Sequence, residues 1–140
     1  MIALDTNVLA RYLLADDALQ ARAAGALLAQ PEETFWIPVT VLLELGWVLR
    51  RYGVPRDIIV AHLRDLMSLP GVDVQMAAEV IVALSWAEGG LDFADALQLA
   101  LSARAQSFAT FDEELALRAR KLRPDLARAL DQIAGPDPAR

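Results

Sequence analysis

Met1-Ile2-Ala3-Leu4-Asp5-Thr6-Asn7-Val8-Leu9 opens the chain, and the reading of this stretch decides the fold. Met1 to Leu4 is a short apolar run suited to a buried strand, and it stops at an acid. Val8, Leu9, Tyr12 and Leu13 then recur at helical spacing, which predicts a helix over 8–15. The same alternation runs down the chain. Asp16 and Asp17 open a second helix that reaches Ala29 and stops before Pro31. Thr34 to Ile37 reads as a strand ended by Pro38, and Thr40 to Tyr52 as a long apolar helix closed by Gly53. Pro55 and Arg56 begin a helix to Ser68, followed by a short strand at Val72 to Val74. Helices are predicted from Met76 to Glu88, from Asp92 to Arg104 and from Asp112 to Lys121. Ser107 to Thr110 and Leu126 to Leu130 are strand candidates. Helices separated by short strands predict an α/β domain with a mostly parallel sheet. No linker or repeat divides the chain, so one domain over 1–134 with a tail at 135–140 is expected.

Composition narrows the chemistry. The 140 residues contain no cysteine and a single histidine, His62. Thiol nucleophiles, thiolate metal sites and multi-histidine sites are therefore excluded, and carboxylates, hydroxyls, amides and arginines remain. Thirteen basic residues stand against nineteen acidic ones, a net charge of −6 that argues against a coat for nucleic acid or anionic membrane. Met1 is not followed by a basic leader, and Glu44, Glu79 and Asp95 interrupt the apolar runs well short of the ~20 residues a span needs. A cytoplasmic protein with no membrane contact is expected.

The informative acids sit where acid is costly. Glu44 lies in Val39-Thr40-Val41-Leu42-Leu43-Glu44-Leu45-Gly46-Trp47-Val48-Leu49, apolar on almost every face, which predicts a largely buried helix with one polar stripe, Thr40 and Glu44. Asp92, Asp95, Gln98 and Ser102 share one face of their helix, where Asp92 can also serve as an N-cap. Asp5, with Thr6 and Asn7, follows the first strand, and Asp112 follows the strand candidate at Phe108; each can equally cap a helix. Ligands of parallel α/β sheets bind outside the carboxyl ends of strands. Acids converging there repel one another unless they are protonated or neutralised by a cation. An all-oxygen set suits Mg²⁺ or Mn²⁺, and such an ion brings phosphoryl chemistry within reach.

In this order, Asp5-Thr6-Asn7, Glu44 within an apolar helix, Asp92-Phe93-Ala94-Asp95-Ala96-Leu97-Gln98 and Thr110-Phe111-Asp112 resemble the PIN-domain ribonucleases. More narrowly, the chain looks like the VapC-type toxins of bacterial type II toxin–antitoxin modules, and the resemblance runs over nearly the whole chain, from residue 1 to about 130. It implies an α/β/α sandwich with about five short parallel strands. It also implies a metal-dependent endoribonuclease whose catalytic acids are Asp5, Glu44, Asp95 and Asp112. Asp5 and Asp95 match the principal ligands of Mg²⁺ or Mn²⁺, and Thr6 and Asn7 match positions that orient the first aspartate. Cleavage by a metal-activated water would leave a 5′-phosphate and a 3′-hydroxyl. Many relatives carry His where this chain has Gln98, and Asp92 is an additional acid beside the site. The implied partners are an RNA substrate, a second copy in a homodimer and a small VapB-like antitoxin. The alternatives are a catalytically silent PIN-like module that binds RNA or protein, and a receiver-like Mg²⁺-binding domain.

Two basic clusters remain, Arg50, Arg51 and Arg56, and Arg118, Arg120, Lys121 and Arg123. Each is either a solvated face or a grip on RNA phosphates. Trp36, Trp47, Trp86 and the run Val80 to Leu84 are expected in the core.

Overall fold

The structure is a computed structural model that describes residues 1–123. Three short strands form one parallel sheet: β1 (Ile2–Ala3), β2 (Phe35–Ile37) and β3 (Val72–Val74), with β2 in the middle. Ile2 pairs with Phe35, and Phe35, Trp36 and Ile37 pair with Val72, Asp73 and Val74. Parallel strands need crossovers, and helices supply them. Two lie between β1 and β2, α1 (Thr6–Leu14) and α2 (Ala18–Leu28); two lie between β2 and β3, α3 (Val39–Arg51) and α4 (Arg56–Met67). After β3 come α5 (Ala77–Glu88), α6 (Phe93–Leu101) and α7 (Glu113–Leu122).

The core follows the two periodicities. Phe35 and Ile37, two apart on the central strand, are fully buried on one face, and Leu42, Leu45 and Leu49 form the matching stripe of α3. Leu63, Leu66, Leu84, Leu97 and Leu99 complete it from α4, α5 and α6. Gly46 lets α3 and α6 come close, because a β-carbon there would stand 3.0 Å from the Phe93 ring.

The expected mostly parallel sheet of about five strands is corrected to three among the described residues. Ser107 to Thr110 contributes only an isolated bridge at Thr110 and no strand. The segment alternates, but none of its four residues is buried, and it is too short and too polar to give an added strand a buried face. The candidate at Leu126 to Leu130 and the tail at 135–140 lie outside the described residues. Helix α6 is shorter than expected and ends at Leu101, where the Ser102 hydroxyl donates to the Gln98 carbonyl at 2.7 Å and the Ser102 N–H to Leu99 at 3.2 Å. No helix among the described residues is long and apolar enough to cross a membrane.

Candidate active site

The site is built from the ends of strands and the starts of helices. Asp5 lies just past β1 and occupies the N-cap position of α1 through its backbone, its carbonyl accepting from Val8 N–H at 3.2 Å. Its carboxylate makes no capping bond. Thr6 is only 3% exposed, and a buried hydroxyl must find an acceptor. It donates to Glu44 Oε2 at 3.0 Å and not to Asp5. Asn7 is exposed and lines the groove between α1 and α2 with Arg11 and Gln20. Contrary to what the resemblance implied, neither residue orients Asp5 by a side-chain hydrogen bond.

Glu44 is exposed with Thr40 as the polar stripe of α3, while Leu42, Leu45, Gly46 and Leu49 face inward. Trp47, expected in the core, is corrected to the open side of the helix. The helix carries more apolar residues than its inward face can hold, so Trp47 is left 60% exposed. Trp36 and Trp86 are half-buried; Val80 and Leu84 are in the core, while Ile81 and Val82 point outward.

The other acids converge at the starts of α6 and α7. Asp92 caps α6, its Oδ2 accepting the Asp95 N–H at 3.3 Å, and its Oδ1 pairs with Arg50 Nη1 at 2.9 Å. Asp112 caps α7, its Oδ1 accepting the Leu115 N–H at 3.0 Å, while its own N–H donates to Thr110 Oγ1 at 3.0 Å. Asp95, in the first turn of α6, is half-buried, and among the described residues its carboxylate takes no hydrogen bond or ion pair. Burial, and then the negative charges of Asp92 and Asp112, push its pKa above the ordinary aspartate value.

Asp92, Asp95 and Asp112 share a hollow of about 170 Å³ with two guanidiniums, those of Arg56 and Arg118. Arg56 Nη1 donates to the Gly90 carbonyl at 2.6 Å, and Arg118 pairs with Glu114 at 3.1 Å. Gly90 has φ +109°, a conformation L side chains rarely adopt, and a β-carbon on it would stand 3.0 Å from Arg118 Nη1. One turn thus seats both cations. A larger groove, about 550 Å³, adjoins the hollow; Arg56 and Asp92 line both. Glu44 and Arg50 also face this groove.

Of the expected catalytic and supporting acids, the structure gathers Asp92, Asp95 and Asp112 into one hollow and sets Glu44 beside the groove that reaches it. Asp5 joins through its neighbour Thr6, the Glu44 partner, and lines neither cavity. Among the described residues no three His, Cys, Asp or Glu side chains form a ready chelate. The donors suit a hard divalent ion that takes one or two carboxylates and keeps its waters. A cation bound there would favour the ionised form of Asp95, which burial and the neighbouring acids disfavour. Arg56, Gly90 and Arg118 were not singled out together from sequence. The two arginines are far apart in the chain, and Gly89-Gly90 reads there only as a helix stop.

The model of the PIN domain family matches residues 2–121 of the chain. No curated protein and no solved structure shows a significant match.

Proposed function

The chain belongs to the PIN domain family, and from that premise we propose that it is a Mg²⁺- or Mn²⁺-dependent endoribonuclease, the toxin of a VapBC-type toxin–antitoxin pair. Family membership brings a nuclease-type fold. The observation that carries the proposal further is the division of labour among the acids. Asp92 and Asp112 hold helix caps and Glu44 holds Thr6, while the carboxylates of Asp5 and Asp95 are committed to no partner among the described residues. These two are the acids that the resemblance makes the metal ligands.

In this reading, which for Asp5 rests on the resemblance because Asp5 lines neither cavity, Asp5 and Asp95 would hold the ion, and Glu44 and Asp112 would complete the pocket directly or through water. When bound, the ion supplies neutralisation of the acids, polarisation of a phosphoryl oxygen and a lowered pKa for water. The chain's own residues do the positioning. Asp92 fixes the backbone of Asp95 through the cap. Arg56 and Arg118, seated at Gly90, hold non-bridging phosphate oxygens, and their anchored forks sacrifice little freedom on binding. The acidic pocket also suits a basic side chain from a small antitoxin, which would hold a cytoplasmic homodimer silent.

The test is incubation of the purified chain with tRNA and mRNA in Mn²⁺ and again with EDTA. Cuts that need the metal and vanish in Asp5→Asn are expected. Cleavage at the wild-type rate by Asp5→Asn or Asp95→Asn overturns the assignment of the site, and no cleavage in any divalent metal leaves a silent binding module.

A further inference from the structure

We propose that the groove beside the acidic hollow is a nucleobase site, taking an unpaired base of single-stranded RNA stacked on the indole of Trp47 while the attached phosphate faces Arg56. The inference rests on the endoribonuclease reading and names its substrate class.

Trp47 lines this groove from α3 and is 60% exposed, an apolar surface that needs an occupant. Arg51, one turn later, stands 4.9 Å from the ring centroid, a cation–π contact that steadies the indole. Inside, Leu43, Ile59 and Phe93 give apolar walls, and Gln98 offers an amide that can both donate to and accept from a base edge. The pattern matches a nucleotide: a flat apolar face, a polar edge and an anion.

Position supports the same occupant. Because Arg56 and Asp92 belong to both cavities, a base held in the groove presents its backbone to the hollow that contains Asp95. Charge argues against the alternatives. A second copy docked here would have to cover Glu44, Arg50, Arg56 and Asp92 together, a charged lining of the kind that the core of a protein interface is depleted in. An amphipathic helix would meet guanidiniums where its apolar face needs an apolar rim. A duplex is also unsuited, since its bases are stacked and paired and cannot enter a groove.

The experiment uses a labelled single-stranded oligoribonucleotide of mixed sequence, alone and annealed to its complement. Cleavage of the single strand but not of the duplex is expected. For binding, the Asp95→Asn chain is used so that the strand survives. Trp47→Ala on this background should weaken binding about tenfold, a typical effect of removing one base-stacking aromatic, with Trp47→Phe retaining most of the affinity. RNA should quench tryptophan emission in the Asp95→Asn chain and not after Trp47→Phe, a signal that a merely structural role would not move. Equal cleavage of both forms together with unchanged binding by Trp47→Ala overturns the base site and leaves the nuclease reading standing. The base site is overturned in the same way if Trp47→Ala changes only the sedimentation of the protein or its capture of a peptide. If no RNA is cut but the quenching is seen and is lost in Trp47→Phe, the base site stands and the nuclease reading falls.

Discussion

The two halves of the site hold their acids in opposite ways. Around α1 and α3, Asp5 and Glu44 are exposed, and Glu44 is a partner that a buried hydroxyl requires. Around α6 and α7, Asp95 is half-buried beside two like charges, and its pKa is raised. Glu44 in the first half supports the fold, and Asp95 in the second, between two capping acids, opposes it. Charge held against its own repulsion is the feature that marks a functional position, because packing alone does not ask for it. The contrast also says where a cation acts most strongly: on Asp95, whose ionised form has the most to gain.

The largest effect expected from this contrast is on turnover. Asp95→Asn should lower metal-dependent RNA cleavage by about a hundredfold or more, the scale on which removed electrostatic stabilisation is felt. A loss of only a few-fold, in single-turnover assays at saturating metal, would erase the distinction between the halves. Next is the joint replacement of Arg56 and Arg118 by Gln. Each phosphate contact to a single strand adds about 0.7 to the slope of log affinity against log salt, so the slope should flatten by about 1.4. An unchanged slope rejects phosphate contact by the pair. Thr6→Val tests the other half. It removes the bond to Glu44 and should lower stability by about 1 kcal/mol, read from denaturant midpoints at constant m-value.

The smallest effect is the most diagnostic, because its sign is reversed. The folded pKa of Asp95 lies above its ordinary value of 3.8, so at low pH, where folded and unfolded chains are both protonated, the group is neutral in effect. As pH rises through that value the unfolded chain ionises first, and the carboxylate begins to oppose folding. Asp95→Asn should therefore raise the melting temperature slightly at neutral pH, and the gain should fade as pH falls below the ordinary aspartate range. Mn²⁺ should raise the melting temperature of the wild type more than that of the variant. A variant less stable than wild type at neutral pH in the absence of metal would contradict the strain at Asp95.

Much of this was legible in local sequence. Asp17, Asp92 and Asp112 cap the helices they precede, each accepting a backbone N–H three residues on, because capping depends only on neighbours. Gly53 takes φ +81° just past α3, as its place after an apolar helix predicts. Of the site, the capping places of Asp92 and Asp112 were foreseeable from where each acid sits relative to a helix start, while their meeting with Asp95 depends on how α6 and α7 pack. The illegible parts are non-local. Nothing in α3 itself says that its apolar residues exceed the surface available to cover them, so Trp47 reads as buried until the neighbours are placed. Arg56 and Arg118 meet only because the Gly90 turn stands between their helices, a fact of tertiary structure.

The contact of Gly46 with Phe93 has a wider consequence. Gly46 follows Glu44 by two residues and Phe93 adjoins Asp92, so the separation of the two halves is gauged by a glycine against a ring as well as by the Arg50–Asp92 ion pair. A single methyl at position 46 would act as a shim, shifting the ring or widening the gap by tenths of an ångström while every acid kept its identity. The spacing between the two sets of acids is thus set in part by an absent side chain, and any ligand that bridges them would inherit that spacing.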